Sequence, residues 1–118
     1  MDLTFSDSDL SFRKEVVSFL DNEYPTDIKE KQDKRIPLEK EEIIRWQKIL
    51  HNKGWFAINW PIEFSGYKEL SVTEKYILQE ELAKANTPTT IPFGMGMCAP
   101  VIYSFGTEDQ KENHLPSI

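Results

Sequence analysis

Hydrophobic residues recur along this sequence with the period of an α-helix, and nowhere with the strict alternation of a β-strand. Phe12, Val16 and Phe19 share one face of a segment that is predicted to be helical over residues 8–23, and Pro25 stops it. An apolar residue at every third or fourth position marks the buried stripe of a helix. The pattern therefore predicts an all-α fold.

Two further helices have clear start and stop signals. The second is predicted over residues 38–53, with Gly54 as its C-cap, because glycine readily adopts the left-handed conformation that ends a helix. The third opens at Ser71, whose S-x-x-E spacing to Glu74 is that of a capping box. Both segments are thus bounded by residues that stabilise helix ends.

The carboxyl-terminal part of the sequence is predicted to hold two shorter helices. One lies within residues 93–105 and ends at Gly106, and the other opens at Thr107, which repeats the capping-box spacing with Gln110. The expected total is about five helices. A chain of 118 residues has the size of one domain, so residues 1–118 are interpreted as a single domain.

Two connecting segments have distinct compositions. Residues 29–35, KEKQDKR, are the only locally basic stretch, and their place between helical patterns predicts a solvated connector. Residues 55–70 lose the helical period and are predicted to be ordered but mostly irregular. Their aromatic rings are expected to anchor this segment to the helices or to a neighbouring domain, since four exposed rings would form a large apolar patch. The rings are those of Trp55, Phe56, Trp60 and Phe64.

Charge and cysteine content exclude several classes of function. The formal net charge is −6, whereas binding to nucleic acid requires a concentrated basic face. No run approaches the roughly 20 apolar residues that span a bilayer, so no membrane association is predicted. Cys98 is the only cysteine, which precludes an internal disulfide and suits a reducing compartment, with the cytoplasm as the expected location.

Residues that could carry chemistry are few. His51 and His114 each lie near the end of a predicted helix, where a cation stabilises the helix dipole, and neither has a second histidine at metal-ligand spacing. Glu80 and Glu81 are adjacent on a helix and are expected to point in different directions as solvated or capping carboxylates, although Glu81 is also a candidate structural anchor. No catalytic residue and no metal site are predicted.

Small and soft residues alternate over residues 93–99. The G-x-G of Gly94 and Gly96 is not interpreted as a phosphate-binding loop, because no strand precedes it and Ala99 occupies the position of the third glycine. Two interpretations remain. The glycines could let the backbone approach another group closely while the methionines line an apolar space. Alternatively, the segment could be part of a helix that packs in the ordinary way.

Three segments together resemble the amino-terminal helical domain of the flavin-dependent acyl-CoA dehydrogenases. They are GWFAINWPIEFSG, SVTEKYILQEELAKANTP and FGMGMCAPVIYSFGTEDQK, which begin at Gly54, Ser71 and Phe93. The resemblance spans nearly all 118 residues and implies an orthogonal helical bundle. The sequence departs from the family at two positions. It has Ser65-Gly66 where the family often has Gly-Gly, and Ala99-Pro100 where the family usually has Gly-Pro.

The resemblance implies a function and a site. Members of the family oxidise acyl-CoA thioesters at the α,β carbons, with a glutamate as base and FAD as hydride acceptor. The electrons usually pass to an electron-transferring flavoprotein. The segment after the EELA helix helps to form the closed end of the acyl pocket. The substrate-binding residues implied here are therefore Phe93, Met95, Met97 and Cys98.

The base and most of the flavin site belong to later domains of that family. This chain alone is therefore expected to be inactive, to retain no FAD, to lack the β domain and the carboxyl-terminal helical domain, and to self-associate through the surface they would cover. Its expected partners are the acyl-CoA substrate and the remaining domains or subunits. Two alternatives stay open: a stand-alone helical module that binds a protein partner, and a small carrier of an apolar ligand.

Overall fold

The computed structural model describes residues 4–118 and is helical between irregular connections. Its α-helices are α1 Asp7–Glu23, α2 Thr26–Asp33, α3 Lys40–Lys53, α4 Ile62–Ser65, α5 Val72–Lys84, α6 Ala99–Phe105 and α7 Glu108–His114. A π-helical turn over Phe93–Cys98 leads directly into α6, and a 3-10 turn over Leu115–Ser117 follows α7. With no strand in the described residues, the predicted all-α class is confirmed.

The capping signals predicted from sequence are confirmed. Ser71 Oγ accepts a hydrogen bond from the Glu74 N–H at 3.1 Å, and the Glu74 carboxylate accepts one from the Ser71 N–H at 2.8 Å. Thr107 forms the same reciprocal pair with Gln110 at the start of α7. Gly54 ends α3 with a φ of +83°, in the left-handed region that favours glycine. These contacts satisfy backbone groups that a helix end otherwise leaves unpaired.

The prediction of a connector over residues 29–35 is wrong for most of its length, because α2 extends to Asp33. Ile28 is the one buried residue of α2, so the helix lacks the repeated apolar positions from which a period is recognised. Three ion pairs involve its described residues: Lys29 with Asp33 inside the helix at 2.7 Å, Lys31 with Glu42 of α3 at 2.7 Å, and Asp27 with Arg45 of α3. Docking against the core, rather than amphipathic repetition, stabilises this helix.

Two smaller differences also concern helix bounds. The short helix α4 lies inside the segment predicted to be mostly irregular. Helices α2 and α4 thus raise the number of α-helices from the expected five or so to seven within residues 4–118. Helix α3 begins at Lys40, two residues later than predicted, because Glu39 and Glu42 form a reciprocal capping box. Helix bounds are the least certain part of a sequence pattern.

One hydrophobic core lies among α1, α2, α3, α5 and the start of residues 55–70, hereafter the aromatic segment. Trp46 of α3 lies within it, with ring centroids 5.0 Å from Tyr24 and 6.4 Å from Phe19. Helix α1 packs along α5. The buried members are Phe12, Val16, Phe19, Leu20, Tyr24, Ile28, Trp46, Leu50, Trp55, Leu70, Ile77 and Leu78. Burial of this many large side chains is the main stabilising contribution to the fold.

The carboxyl-terminal helices lie outside this core. Over residues 93–118 only Ala99 and Leu115 are buried, and α6 packs chiefly against the π-helical turn, α7 and the final 3-10 turn. The radius of gyration is 15.7 Å, where about 13.5 Å is usual for a compact domain of this length. The accessible surface is 8146 Å², against about 6,600 Å² for a compact monomer of this mass. The accessible surface area of the chain is therefore larger than is usual for a compact protein of its mass.

Candidate functional site

The aromatic segment joins the core to the carboxyl-terminal helices. Trp55 is buried in the core, whereas Trp60 and Phe64 are half-buried and contact the ring of Tyr103 in α6. The Phe64 and Tyr103 rings are nearly parallel with centroids 5.8 Å apart, and the Trp60 ring meets Tyr103 edge-on at 6.2 Å. Such aromatic pairs add specific geometry to apolar contact. The rings thus attach the segment both to the core and to α6.

The backbone over Phe93–Cys98 forms a π-helical turn. The Ala99 N–H donates to the Gly94 carbonyl, five residues back, where an α-helix would use the carbonyl four residues back. The Trp60 indole N–H donates to the Met95 carbonyl at 2.8 Å. A Cβ added at Gly94 would lie 3.1 Å from the Ile118 side chain, so the missing side chain permits this close contact. Turns of this type frequently occur at functional sites.

The four predicted substrate-binding residues all lie in this turn, but they differ in exposure. Phe93 is 70% exposed, Met97 is 60% exposed and Cys98 is also exposed, whereas Met95 is half-buried. Phe93 and Met97 begin an exposed apolar row, hereafter the apolar row, whose members follow one another at intervals of four residues. The row consists of Phe93, Met97, Val101 and Phe105.

Val101 and Phe105 were not predicted as part of the site. They are 60% and 86% exposed, and their spacing of four residues continues the face that Met97 begins. That spacing was a usable signal in the sequence, yet helical spacing is as typical of a buried stripe as of an exposed one. The structure resolves this ambiguity, because the row faces away from the core.

A groove of about 590 Å³ lies between α3, the aromatic segment and the carboxyl-terminal residues. Its lining mixes apolar groups such as Phe56 and Trp60 with polar groups such as Gln47 and His51. None of the four predicted substrate-binding residues is among the residues that line it. The turn that carries them is therefore a surface feature of this chain, open on its outer side.

The two histidines lie in the last turns of α3 and α7. His51 lies in the last turn of α3, and its Nδ1 forms a hydrogen bond with the Tyr67 hydroxyl, which ties the helix end to the aromatic segment. His114 lies in the last turn of α7 and is exposed. Within the part of the chain that the structure describes, no cluster of His, Cys, Asp or Glu side chains could hold a metal ion.

The adjacent carboxylates of Glu80 and Glu81 converge on Arg13 of α1, so the expectation that they diverge into solvent is wrong. The Arg13 guanidinium donates to both, at 2.7 Å to Glu80, and Lys84 adds a contact of 3.2 Å to Glu81. Glu81 is only 9% exposed, and its alternative role as a structural anchor is confirmed. These hydrogen bonds lower the pKa of Glu80. The cluster fixes α1 to α5 and is not an acid–base pair.

Replacing Arg13 by Gln is expected to destabilise the chain at pH 7 and to do so less as the pH falls. Because the folded state lowers the pKa of Glu80, its ion pair contributes stability above the unfolded pKa of about 4.3. That contribution disappears as the pH falls through the lower folded value. Denaturant midpoints at pH 7 and pH 3 for wild type and Arg13→Gln measure this difference.

The matched control for this prediction is Lys14→Gln, which removes one positive charge from an exposed side chain on the same helix. Its midpoint is expected to stay close to that of the wild type at both pH values, since exposed charges contribute little. An Arg13→Gln deficit of the same size at pH 7 and pH 3 would exclude the ionised Glu80 carboxylate as its source.

The family profile described as "Acyl-CoA dehydrogenase, N-terminal domain" matches residues 6–118, nearly the whole chain. The chain belongs to the acyl-CoA dehydrogenase family. The all-helical fold agrees with this domain of the family, and the recognition made from the sequence motifs is confirmed. No solved structure matches the chain. No helix within residues 4–118 is long and apolar enough to cross a lipid bilayer.

Acyl-CoA dehydrogenases are also the relatives that the chain resembles over part of its length. It is 34% identical over 79 residues to acyl-CoA dehydrogenase IpdE1 of Mycolicibacterium smegmatis, a match that covers 66% of this chain and 20% of the relative. It is 38% identical over 66 residues to acyl-CoA dehydrogenase FadE26 of Mycobacterium tuberculosis, covering 55% and 16% respectively. The aligned part thus amounts to about a fifth of the length of these curated relatives.

FAD, which the resemblance implies, does not fit the glycine-containing turn over Phe93–Cys98. Gly94 packs against Ile118, so its backbone does not form an open cradle for a phosphate. Among the described residues, Trp46 Nε1 is the one buried side-chain polar atom without a hydrogen-bond partner, and it lies in the hydrophobic core. We therefore assign no flavin contact to this chain and derive no reaction step through it.

Proposed function

We propose that this chain is the amino-terminal domain of an enzyme that oxidises acyl-CoA thioesters to 2,3-enoyl-CoA. Its role in that enzyme is to supply one wall of the acyl pocket, through Phe93, Met95, Met97 and Cys98. The observation that carries the proposal is the exposed apolar row on and beside the π-helical turn. In a protein of this family, an exposed apolar surface at the position expected for the acyl pocket favours contact with an acyl chain.

The chemistry of this wall is apolar. Each methylene of an acyl chain that leaves water for such a surface contributes about 0.8 kcal/mol. Phe93 and Met97 can supply that contact, and the unbranched, polarizable methionine adapts to chains of different shape. By excluding water, the wall strengthens the electrostatic interactions at the reacting carbons. No residue of this chain holds or moves the transferred proton in this proposal, so the chain alone is inactive.

The remaining parts of the reaction belong to other domains or subunits in this proposal. They hold FAD, which accepts the β hydride when bound, and the base that removes the α proton. An electron-transferring flavoprotein then receives the electrons. We place the enzyme in the cytoplasm, because the single cysteine of this chain suits a reducing compartment. In isolation the uncovered apolar row is expected to promote self-association.

The alternative of a small apolar-ligand carrier is less well supported. A carrier encloses most of its ligand's surface in a cavity. Phe93 and Met97 are instead 70% and 60% exposed, and the turn that carries them is open on its outer side. A protein-interaction module would also display an apolar row. The experiment described next therefore distinguishes this hypothesis from the proposed function.

The test is an enzyme assay with and without this chain. The polypeptide that carries the other acyl-CoA dehydrogenase domains is prepared with residues 1–118 present, in the same chain or as a co-expressed subunit, and without them. Oxidation of acyl-CoA thioesters is followed with ferrocenium as electron acceptor and by detection of 2,3-enoyl-CoA. We expect turnover only when this chain is present. Unchanged turnover without it would contradict the proposal and favour an interaction module.

A further inference from the structure

The π-helical turn over Phe93–Cys98 depends on contacts from elsewhere in the chain. Its hydrogen bonds are less favourable than those of an α-helix, so a short π-helical turn requires added stabilisation. The hydrogen bond from the Trp60 indole to the Met95 carbonyl supplies it at 2.8 Å, across 35 positions of sequence. This carbonyl lies in the middle of the turn, between the two glycines.

The Trp60 side chain is itself held in one place. Its ring contacts Tyr103 edge-on, and Tyr103 is stacked on Phe64, so three rings fix the indole between the aromatic segment and α6. The Trp60 backbone N–H donates to the Ala57 carbonyl at 3.1 Å, and Pro61 follows directly. The indole N–H is therefore a preorganised donor, presented to the turn by a packed aromatic cluster.

The conformation of the turn decides which side chains share a face with α6. A π-helical turn accommodates one residue more than an α-helical turn, which rotates the preceding residues by about 100° relative to a continuous α-helix. Phe93 lies before the extra residue, and Val101 lies after it. The alignment of Phe93 with the rest of the apolar row therefore depends on the turn that Trp60 stabilises.

We propose that Trp60 is a positioning residue, whose hydrogen bond to Met95 fixes the π-helical turn and thereby determines which acyl chains the pocket wall accepts. The influence of Trp60 on substrate selection rests on the proposed function of this turn. Its influence on the conformation of the turn does not. Trp60 acts through the backbone of Met95, so its influence on the substrate is indirect.

The effect on the turn is measured by NMR on the 118-residue chain. Two of its three methionines, Met95 and Met97, lie in the turn, so methyl-labelled methionine reports on it at natural positions. Trp60→Phe keeps an aromatic ring but removes the donor. We expect it to shift both methyl resonances and to speed amide exchange of residues 93–98 by about three- to tenfold, as the loss of one hydrogen bond implies.

Trp46→Phe is the matched control, because the Trp46 indole has no hydrogen-bond partner among the described residues and lies in the hydrophobic core. It is expected to reduce overall stability more than Trp60→Phe does and yet to leave the methyl resonances of the turn in place. Should Trp60→Phe fail to fold, Tyr103→Leu removes the ring that holds the indole, and we expect the same shifts at smaller size. Wild-type resonances and exchange in Trp60→Phe, or equal shifts in Trp46→Phe, would overturn the positioning role.

The effect on the substrate is measured in the complete enzyme, as kcat/KM for a series of straight-chain acyl-CoA thioesters. For Trp60→Phe we expect the ratio between long and short substrates to change by about threefold or more, through KM rather than kcat. Suppose that Trp60→Phe shifts the methyl resonances of the turn but leaves the ratio of kcat/KM between long and short substrates unchanged. That result would overturn the role of Trp60 in substrate selection and would place the acyl pocket elsewhere. If the complete wild-type enzyme oxidised no acyl-CoA thioester, that result would instead contradict the proposed function alone.

Discussion

Replacing Ile28 by Ala is expected to lower the free energy of unfolding by about 2–5 kcal/mol, the usual cost of truncating a fully buried isoleucine. Ile28 has 0% exposure and is the one buried residue of α2. An isolated helix of eight residues is unstable in water, so α2 depends on this side chain for its place in the fold. The loss should include contacts between α2 and α3, such as the ion pair from Lys31 to Glu42.

Urea unfolding followed by circular dichroism measures the effect of Ile28→Ala. The matched control is Ile36→Ala, which makes the same chemical change at a side chain that is 46% exposed just beyond α2. The control is expected to change stability by about 0.5 kcal/mol or less. If Ile28→Ala were as mild as Ile36→Ala, α2 would not be docked on the core.

Helices α1, α3 and α5 could be predicted because each repeats apolar residues along one face and carries its own boundary signals. Phe12, Val16 and Phe19 illustrate the repetition, and Ser71 with Glu74 illustrates the boundary. Helix α2 could not be predicted in the same way. Its single buried residue, Ile28, gives no period, and its charged residues are also typical of a connector.

The site was predictable in composition but not in geometry. Glycines among Met and Phe side chains indicated an unusual segment, and the resemblance assigned Phe93, Met95, Met97 and Cys98 to the acyl pocket. The π-helical turn receives a hydrogen bond from Trp60 and packs against the side chain of Ile118, and both residues lie far from it in the sequence. No local pattern contains such contacts, so the π-helical turn did not follow from the sequence. The spacing of Val101 and Phe105 was visible in the sequence, but their exposure was not.

The convergence of Glu80 and Glu81 on one guanidinium has a similar explanation. Neighbouring residues on a helix leave the axis in different directions, which led to the expectation of two independent, solvated groups. Arg13 lies between them on the packed helix α1 and is long enough to reach both. The sequence identified the carboxylates, but only the packing of α1 against α5 identifies their partner.

Replacing Met97 by Glu in the complete enzyme is expected to lower kcat/KM for acyl-CoA oxidation by about a hundredfold or more. In the proposed pocket a carboxylate at this position would lie against the apolar acyl chain without a partner, and an unpaired charge in such surroundings costs several kcal/mol. Met97 is 60% exposed in this chain, so the same substitution should leave the stability of the isolated chain nearly unchanged.

The matched control is Val72→Glu, which places the same charge on another strongly exposed apolar residue, 85% exposed at the start of α5. A carboxylate near the amino terminus of a helix is tolerated or slightly stabilising. The complete enzyme with Val72→Glu is therefore expected to keep nearly wild-type kcat/KM.

The comparison of kcat/KM between Met97→Glu and Val72→Glu tests the central claim that the exposed π-helical turn forms a wall of the acyl pocket. We expect a loss of about a hundredfold or more in the first variant and nearly full activity in the second. Wild-type kcat/KM in Met97→Glu, for short and long acyl-CoA thioesters alike, would contradict the claim.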